Sequence, residues 1–255
     1  MVARVVDPLR FEANAGTYSR ARPPYPAALW ERLGDLGLLR PGGRALDLGA
    51  GTGQATGPLV AAGMQVTAVE PGPRLAAELR AAHPAVQVLL RRAEDLDALG
   101  LEAGSFDLVV AATSIHWMNL DAVLPSVRRL LRPGGTFAVW RNVFGDPTRS
   151  TPFRDRVAAI VRDREAPPRP GPDADDVDAM TAALTSSGTF CVDEVRRYRW
   201  SIELDEEHVR LLFTTFSDWS ADEVDRAAAA VADLGGTVVE HYGSWLVVLS
   251  PVPTA

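Results

Sequence analysis

Short apolar runs alternate with amphipathic segments through the first half of the chain. Each run is bounded by glycine, proline or polar residues, and the segments between the runs carry leucines at a spacing of three to four residues. Such runs are typical of buried strands, and their alternation with helices is typical of a parallel α/β sheet. The pattern predicts strands at 45–48, 65–70, 86–90, 105–112 and 136–140, with helices at 27–39, 54–62, 74–82 and 120–131.

The pattern becomes less regular after residue 142. We expect helices at 153–164, 177–184, 206–216 and 221–234, a long strand at 190–204, and a final apolar strand at 244–250 that closes the sheet. The prolines of 166–172 exclude helix and sheet there and predict a loop or hinge.

Three regions follow from this pattern. They are an N-terminal segment that closes over a cofactor (1–26), a doubly wound cofactor-binding core (27–142) and a C-terminal part (143–255). In the last part, we expect helices between the final strands to form a lid over the substrate. Phe144 and aromatic residues of the last helices are candidates to line that lid, although packing in the core is the more common role of such residues.

The strongest chemical signal follows the first predicted strand. Asp47, Gly49, Gly51 and Gly53 form the pattern D-x-G-x-G-x-G ahead of a predicted helix. Glycine admits positive φ and lets a ligand approach the backbone, so a strand, a glycine turn and a helix form a cofactor cradle. A dinucleotide fold requires G-x-G-x-x-G, but this chain has Gln54 at the third glycine position. The neighbouring acid disfavours a pyrophosphate and favours a cation.

This motif resembles the first motif of the class I S-adenosylmethionine (SAM) dependent methyltransferases. Two further stretches resemble the same group: residues 18–26 are similar to the Y-x-x-x-R-P-x-Y-P pattern of type 11 and trans-aconitate methyltransferase-like enzymes, and 131–135 to their L-x-P-G-G turn. The resemblance is strong over 11–142 and weak beyond. It implies an α/β fold with a Rossmann-like, doubly wound, seven-stranded sheet and helical lid insertions in the C-terminal half. It also implies SAM as cofactor and S-adenosylhomocysteine as product.

Glu70 ends the second predicted strand, where a carboxylate can accept hydrogen bonds from both ribose hydroxyls of an adenosine. The resemblance implies that Tyr18 and Arg22 close over the methionine end of SAM and that the segment around Ala93 lies beside the adenine. The complete set of expected cofactor-binding residues is Tyr18, Arg22, Asp47, Gly49, Ala50, Gly51, Gly53, Glu70, Pro71, Ala93, Glu94, Asp95 and Ala111.

A polar and aromatic group follows the fourth predicted strand, at the end where open α/β sheets bind ligands. Related methyltransferases often have His-Trp at this point, so we expect His116, Trp117 and Arg141 in the substrate pocket. His116 is the candidate catalytic residue, either as a base or by orienting the acceptor. The alternative is that His116 only caps the following helix.

These features predict methyl transfer from SAM to a small-molecule acceptor, either a carboxylic acid or a hydroxyl compound. Three alternatives stay open at this point: a methyltransferase of a larger natural product, a non-catalytic SAM-binding module, and an NAD-dependent oxidoreductase. Gln54 argues against the last of these. A carboxylate acceptor needs no base, whereas a hydroxyl or carbon acid acceptor would make His116 a base.

The composition limits which partners and which cellular compartment we expect for this protein. A net charge of −7 disfavours nucleic acid as a partner, and 47% hydrophobic residues are usual for a soluble globular protein. Cys191 is the one cysteine, which fits a reducing compartment. The sequence shows neither a secretory leader nor a membrane-spanning stretch, so we expect a cytoplasmic protein without a membrane partner, as a monomer or homodimer. The four histidines lack metal-ligand spacing, so no metal site is expected.

Overall fold

The structure is a computed structural model that describes residues 16, 21–146, 148–162, 164, 176–216 and 219–253. Two predicted features lie outside these residues, namely Tyr18 and the proline-rich segment 166–172. The described residues form one seven-stranded sheet with helices on both faces. The predicted fold class is therefore confirmed.

The strands run in the order β3-β2-β1-β4-β5-β7-β6 across the sheet. The first five are parallel to one another, and β7 runs antiparallel to both of its neighbours, β5 and β6. Their bounds are β1 Arg44–Leu48, β2 Gln65–Val69, β3 Gln87–Leu89, β4 Phe106–Ala112, β5 Leu131–Phe144, β6 Phe190–Asp205 and β7 Thr237–Pro251.

Eight α-helices accompany the strands in the described residues. They are α1 Ala27–Asp35, α2 Thr56–Ala61, α3 Pro73–Ala82, α4 Leu120–Leu130, α5 Pro152–Val161, α6 Val177–Thr185, α7 Glu206–Thr214 and α8 Ala221–Asp233. Leucines of α1 to α3 pack on one face of the sheet, and α4 and α6 pack on the other. Two short 3-10 helices, Ala93–Leu99 and Ile115–Trp117, follow β3 and β4. Most predicted elements are present, with ends that differ by a few residues.

Two strands differ from the prediction. The turn expected at 131–135 belongs to β5, because Leu131 already pairs with β4 and the ladder resumes at Thr136 after an irregularity. Pro133 cannot donate a ladder hydrogen bond, which explains an interruption at this point. The final strand begins at Thr237, earlier than expected, and it lies between β5 and β6 and therefore does not close the sheet at an edge.

The last helices have a hydrophobic cluster of their own. Phe153 of α5, Phe213 of α7 and Val231 of α8 are buried together against Leu204 and Val238, where β6 and β7 extend beyond the other strands. Phe144, at the end of β5, packs against this cluster and joins it to the main sheet. A layer of helices thus lies next to the carboxyl ends of the parallel strands, where the lid was predicted.

No helix among the described residues combines the length and the apolar character that crossing a membrane requires.

Candidate functional site

A cleft lies at the carboxyl ends of β1 and β4 and is bounded by the upper parts of β5 and β7. It encloses about 690 Å³ of space that includes its open mouth. The residues that line it are Arg22, Pro23, Tyr25, Asp47, Gly49, Ala50, Gly51, Thr52, Gln54, Ala55, Ala112, Thr113, Asn142, Phe144 and Tyr242.

The glycine loop after β1 forms the floor of the cleft. Gly49, Gly51 and Gly53 all adopt positive φ, but their surroundings differ. A Cβ on Gly49 would lie 2.6 Å from the Cβ of Ser114, and one on Gly53 would lie 2.5 Å from a Leu79 methyl group. A Cβ on Gly51 would meet no protein atom within 4 Å. Gly49 and Gly53 therefore permit close packing, whereas Gly51 leaves open space at the cleft.

Asp47 lies directly below this loop with no solvent exposure. Its Oδ2 accepts a hydrogen bond of 2.6 Å from the Thr56 hydroxyl, and its Oδ1 has no hydrogen-bond partner among the described residues. Burial raises the pKa of Asp47 to about 7, against a partly opposing effect of the Thr56 hydrogen bond. The cleft therefore contains a buried carboxyl group whose negative charge a bound cation would stabilise.

Glu70 follows β2 and is only 5% exposed. Its Oε2 accepts a hydrogen bond from the Gly51 amide, and its Oε1 accepts one from the Gly72 amide, both at 2.8 Å. Glu70 thus holds the glycine loop in place.

An N-terminal strap, residues 21–26, crosses the ends of the strands. The Gln54 side chain donates to the Arg22 carbonyl at 3.0 Å, and the Asn142 side chain donates to the Pro24 carbonyl at 3.2 Å. The Arg22 guanidinium donates to the Thr215 carbonyl and lies over the Phe216 ring. The strap is therefore held by the glycine loop, the sheet and the segment after α7.

Thr113 has a strained conformation where β4 enters the cleft. It is the one non-glycine residue with positive φ, 56°, in the described part of the chain. Its Oγ1 accepts hydrogen bonds from the Tyr25 hydroxyl and the Asn142 amide, and its own amide donates to Trp140. Positive φ is unfavourable for a β-branched residue and persists where surrounding contacts enforce it, which is common at functional sites.

The structure brings five of the predicted cofactor-binding residues together in the cleft, namely Arg22, Asp47, Gly49, Ala50 and Gly51. The other described candidates do not line it, although Gly53 and Glu70 shape the loop that does. Ala111 is fully buried in the core, and its neighbours Ala112 and Thr113 line the cleft instead.

The candidates near the adenine lie after β3. Ala93 is buried, Asp95 is exposed, and Glu94 accepts a hydrogen bond from the Asn119 amide at 2.9 Å and lies 3.6 Å from Arg92. Pro71, half-buried, connects Glu70 to α3. Their roles stay predictions.

The candidate substrate residues are not among those that line the cleft. His116 and Trp117 form part of the 3-10 helix after β4, with ring centroids 4.7 Å apart. Arg141 is half-buried opposite Trp245 in the ladder between β5 and β7. Their assignment to a substrate pocket also stays a prediction.

The sequence motifs do not include two residues from the upper strands that line the cleft, Asn142 and Tyr242. One available signal was the alternation of Glu240, Tyr242 and Ser244, which places polar side chains on one face of a mostly buried strand. Phe144, a candidate lid residue, does line the cleft. Within the described ranges, no three His, Cys, Asp or Glu side chains are grouped to hold a metal ion.

Residues 46–139 match the family model described as a methyltransferase domain. An uncharacterized methyltransferase from Mycobacterium tuberculosis H37Rv is 41% identical over 133 residues, which is 52% of each chain. An uncharacterized methyltransferase-like protein from Schizosaccharomyces pombe is 30% identical, over 63% of this chain and 60% of the relative. This chain therefore spans about half the length of the curated relatives that it matches.

The whole fold is similar to solved structures. A candidate type II methyltransferase from Anaeromyxobacter dehalogenans superposes with a TM-score of 0.60 at 26% identity, covering 89% of this chain and 96% of that one. A phosphoethanolamine N-methyltransferase from Haemonchus contortus has a TM-score of 0.54 at 16% identity, covering 97% of this chain and 60% of the other. At 16% identity, the similarity to the Haemonchus contortus protein is evidence of a shared fold only.

Proposed function

Because residues 46–139 form a methyltransferase domain on a class I fold, we propose that this chain transfers a methyl group from SAM to a small-molecule acceptor. The match over residues 46–139 and the class I fold support the predicted methyltransferase family, whose methyl donor is SAM, and the trans-aconitate-like subtype stays a prediction. The acceptor is proposed to be a carboxylic acid or a hydroxyl compound, in line with the resemblance of the N-terminal segment to trans-aconitate methyltransferase-like enzymes.

The observation that carries this proposal is a set of three buried polar atoms on residues that line one cleft. Asp47 Oδ1, Thr52 Oγ1 and Tyr242 Oη have no hydrogen-bond partner among the described residues. Buried polar groups are normally satisfied, so three such atoms around one space indicate a polar ligand. The open side of Gly51 leaves room for it. The cleft therefore fits a cofactor that carries both cationic and hydrogen-bonding groups.

The roles of the residues follow from their chemistry. Asp47 would stabilise the cationic methionine end of the cofactor, Glu70 would accept the ribose hydroxyls, and Arg22 would pair with a carboxylate. Bound SAM supplies a methyl carbon that is already activated by the sulfonium. The protein has then to align the acceptor and exclude water, and the strap over the cleft serves both purposes.

Transfer of labelled methyl groups tests the proposal. We expect protein incubated with methyl-labelled SAM and a metabolite extract to yield a labelled small molecule. An Asp47→Ala variant provides the inactive control. Binding of SAM without any transfer would contradict the enzymatic proposal and favour a SAM-binding module, and a large labelled product would favour the natural-product alternative.

Replacing Glu70 by glutamine should weaken binding of S-adenosylhomocysteine by roughly 10- to 100-fold. The amide nitrogen of glutamine cannot accept a hydrogen bond, so one of the two loop amides, on Gly51 or Gly72, loses its partner. A hydrogen bond to a charged group contributes about 1.5–3 kcal/mol. Calorimetric titration measures the effect, with Glu194→Gln as control because Glu194 pairs with Arg32 away from the cleft. Equal affinity in both variants would contradict the role of Glu70 in holding the loop that binds the ligand.

His116→Ala should leave binding of S-adenosylhomocysteine unchanged and lower turnover with a hydroxyl acceptor by about 100-fold, the usual contribution of a general base. His208→Ala is the matched control, since His208 is exposed on α7 and pairs with Asp205. Turnover is measured with acceptors identified by the labelling experiment. If His116→Ala retains full turnover with every acceptor, His116 is structural.

A further inference from the structure

The cleft has two halves along the sheet. In the strand order, β4 has β1 on one side and β5, followed by β7, on the other. The glycine loop and Asp47 lie on the β1 side, where the proposed function places the cofactor. The other half is lined by Thr113 after β4, Asn142 and Phe144 of β5, and Tyr242 of β7. We call these four residues the acceptor wall, because a cofactor held at β1 leaves this half of the cleft for the methyl acceptor.

The Thr113 hydroxyl is a hydrogen-bond donor. Its oxygen accepts one hydrogen bond from the Tyr25 hydroxyl at 3.0 Å and one from the Asn142 amide at 3.4 Å. A hydroxyl has one proton and two lone pairs, so both lone pairs are engaged and the proton is left. Thr113 keeps this position although positive φ is unfavourable for a β-branched residue. Because Thr113 lines the cleft, its proton is available to a molecule bound there.

The Tyr242 hydroxyl is a second donor in the acceptor wall. It has no hydrogen-bond partner in the described part of the chain, although the residue is only 3% exposed. A buried tyrosine hydroxyl normally finds a partner, because an unmade hydrogen bond is costly. A ligand in the cleft can supply the missing partner of Tyr242.

Packing on both sides holds the Tyr242 ring in one direction. The Trp200 ring of β6 stacks on it at a centroid distance of 4.8 Å, and the Phe144 ring meets it edge-on at 5.5 Å. Trp200 is itself held, because its Nε1 donates a hydrogen bond to the Ser244 hydroxyl at 2.8 Å. The Tyr242 hydroxyl therefore has a fixed position before any ligand binds.

Asn142 uses its side chain within the protein. Its Oδ1 accepts a hydrogen bond from the Ser244 hydroxyl at 2.7 Å, and its Nδ2 donates to the Pro24 carbonyl at 3.2 Å. The acceptor wall thus offers a ligand two hydroxyl donors beside the apolar ring of Phe144. A flat aromatic molecule with a hydrogen-bond acceptor atom matches this combination.

Negative charge is unfavourable beside Tyr242. Burial, and to a lesser degree the Glu240 carboxylate, raise the pKa of Tyr242 well above its usual range. Arg22 and Arg154 oppose these effects without cancelling them. Surroundings that prevent ionisation of the phenol also penalise a carboxylate or phenolate placed next to it. The partner of the two hydroxyls is therefore an uncharged atom with a lone pair.

We propose that Thr113 and Tyr242 form an acceptor subsite that binds an uncharged oxygen of an aromatic acceptor molecule. This inference rests on the proposed function, and it narrows the acceptor to a hydroxyl compound that carries a second, neutral oxygen. A hydrogen bond donated to the oxygen that takes the methyl group would weaken it as a nucleophile, so the bound oxygen is the second one. Neutral acceptors are thereby favoured over carboxylic acids.

Three phenols of similar size test the subsite by calorimetric titration into the S-adenosylhomocysteine complex. They are 4-hydroxyacetophenone, which has a neutral carbonyl, 4-ethylphenol, which lacks it, and 4-hydroxybenzoate, which has a carboxylate. Wild type should bind the ketone about 10-fold more tightly than either of the others. Tyr242→Phe and Thr113→Val should lose this preference, whereas Thr113→Ser keeps the hydroxyl and should retain it. Thr113→Val also removes the partner of Tyr25, so Tyr242→Phe decides the test if Thr113→Val does not fold.

Tyr198→Phe is the matched control, because Tyr198 also has a buried hydroxyl without a partner in the described residues but does not line the cleft. Tyr242→Phe should keep the wild-type affinity for S-adenosylhomocysteine. A weaker affinity would assign Tyr242 to the cofactor, and a wild type without preference for the ketone would show that the subsite is wrong. Both results leave the proposed function standing. If wild type does not bind S-adenosylhomocysteine, the proposed function fails and this inference fails with it.

Discussion

Replacing Asp47 by asparagine will stabilise the protein at pH 8 and remove most of its affinity for S-adenosylhomocysteine. The pKa of Asp47 is about 7 in the native state, whereas it is near 3.8 in the unfolded chain. Between these values the native state binds more protons, so wild-type stability falls as pH rises and levels off above pH 7. The asparagine side chain does not ionise, so the variant does not lose stability in this way as the pH rises.

The advantage of the asparagine variant should grow from pH 4 to pH 7 by up to roughly 4 kcal/mol, because each pKa unit corresponds to about 1.4 kcal/mol. Urea unfolding at pH 5, 6, 7 and 8 measures it. Asp107→Asn is the control and should destabilise instead, since Asp107 accepts a hydrogen bond from the Arg44 amide and pairs with Arg132 at 2.6 Å.

The same carboxyl group predicts pH-dependent binding. The ammonium group at the amino-acid end of the ligand needs ionised Asp47, so the wild-type dissociation constant for S-adenosylhomocysteine should rise about tenfold between pH 8 and pH 6. An asparagine variant that is less stable than wild type at pH 8, or that binds the ligand as tightly, would contradict the role given to Asp47.

Replacing Arg154 by leucine will destabilise the protein by about 3 kcal/mol at pH 8. Arg154 Nε and Nη2 both lie 2.8 Å from Oε1 of Glu240, which is only 1% exposed, and the guanidinium covers the Phe144 ring at 4.2 Å. Removing one partner of a buried pair leaves an uncompensated charge, which is strongly unfavourable.

The pH dependence identifies the cause of this loss. Burial raises the pKa of Glu240, and Arg154 opposes that effect. Without Arg154 the carboxyl takes up a proton more readily, so the loss should shrink as the pH falls towards 5. A double variant, Arg154→Leu with Glu240→Leu, should recover most of the stability, because apolar residues can replace a buried pair at little cost. Equal instability of the single and double variants at all pH values would indicate lost packing instead. Urea unfolding measures the stability of the wild type and of the single and double variants at each pH.

The sequence motifs predicted the parts of the site that lie close together in the chain. Asp47 and the three glycines are close together in the chain, so their spacing alone indicates a cofactor cradle and its preference for a cation. Glu70 was predicted from its place at a strand end, and the structure adds that it holds this loop through the Gly51 amide. In each case the signal was local.

The rest of the cleft depends on long-range pairing that local patterns do not encode. Tyr242 faces the cleft because β7 inserts between β5 and β6, and 98 residues separate Tyr242 from its ladder partner Phe144. Tyr25 contributes through a hydrogen bond to Thr113, which lies far along the chain. These features required the sheet order, which hydrophobic periodicity does not determine.

Three parts of the chain that were predicted as separate regions meet at the cleft. The glycine loop supplies its floor, the strap covers it, and β5 and β7 supply a wall that continues into the last helices. Arg22 connects all three, because its carbonyl binds Gln54 and its guanidinium reaches Thr215.

Calorimetric titration of the purified protein with S-adenosylhomocysteine, with NADH as the control ligand, tests whether the cleft is a SAM site. We predict micromolar binding of S-adenosylhomocysteine and no binding of NADH. Binding of NADH, or no binding of S-adenosylhomocysteine at pH 8, where Asp47 is ionised, would contradict it.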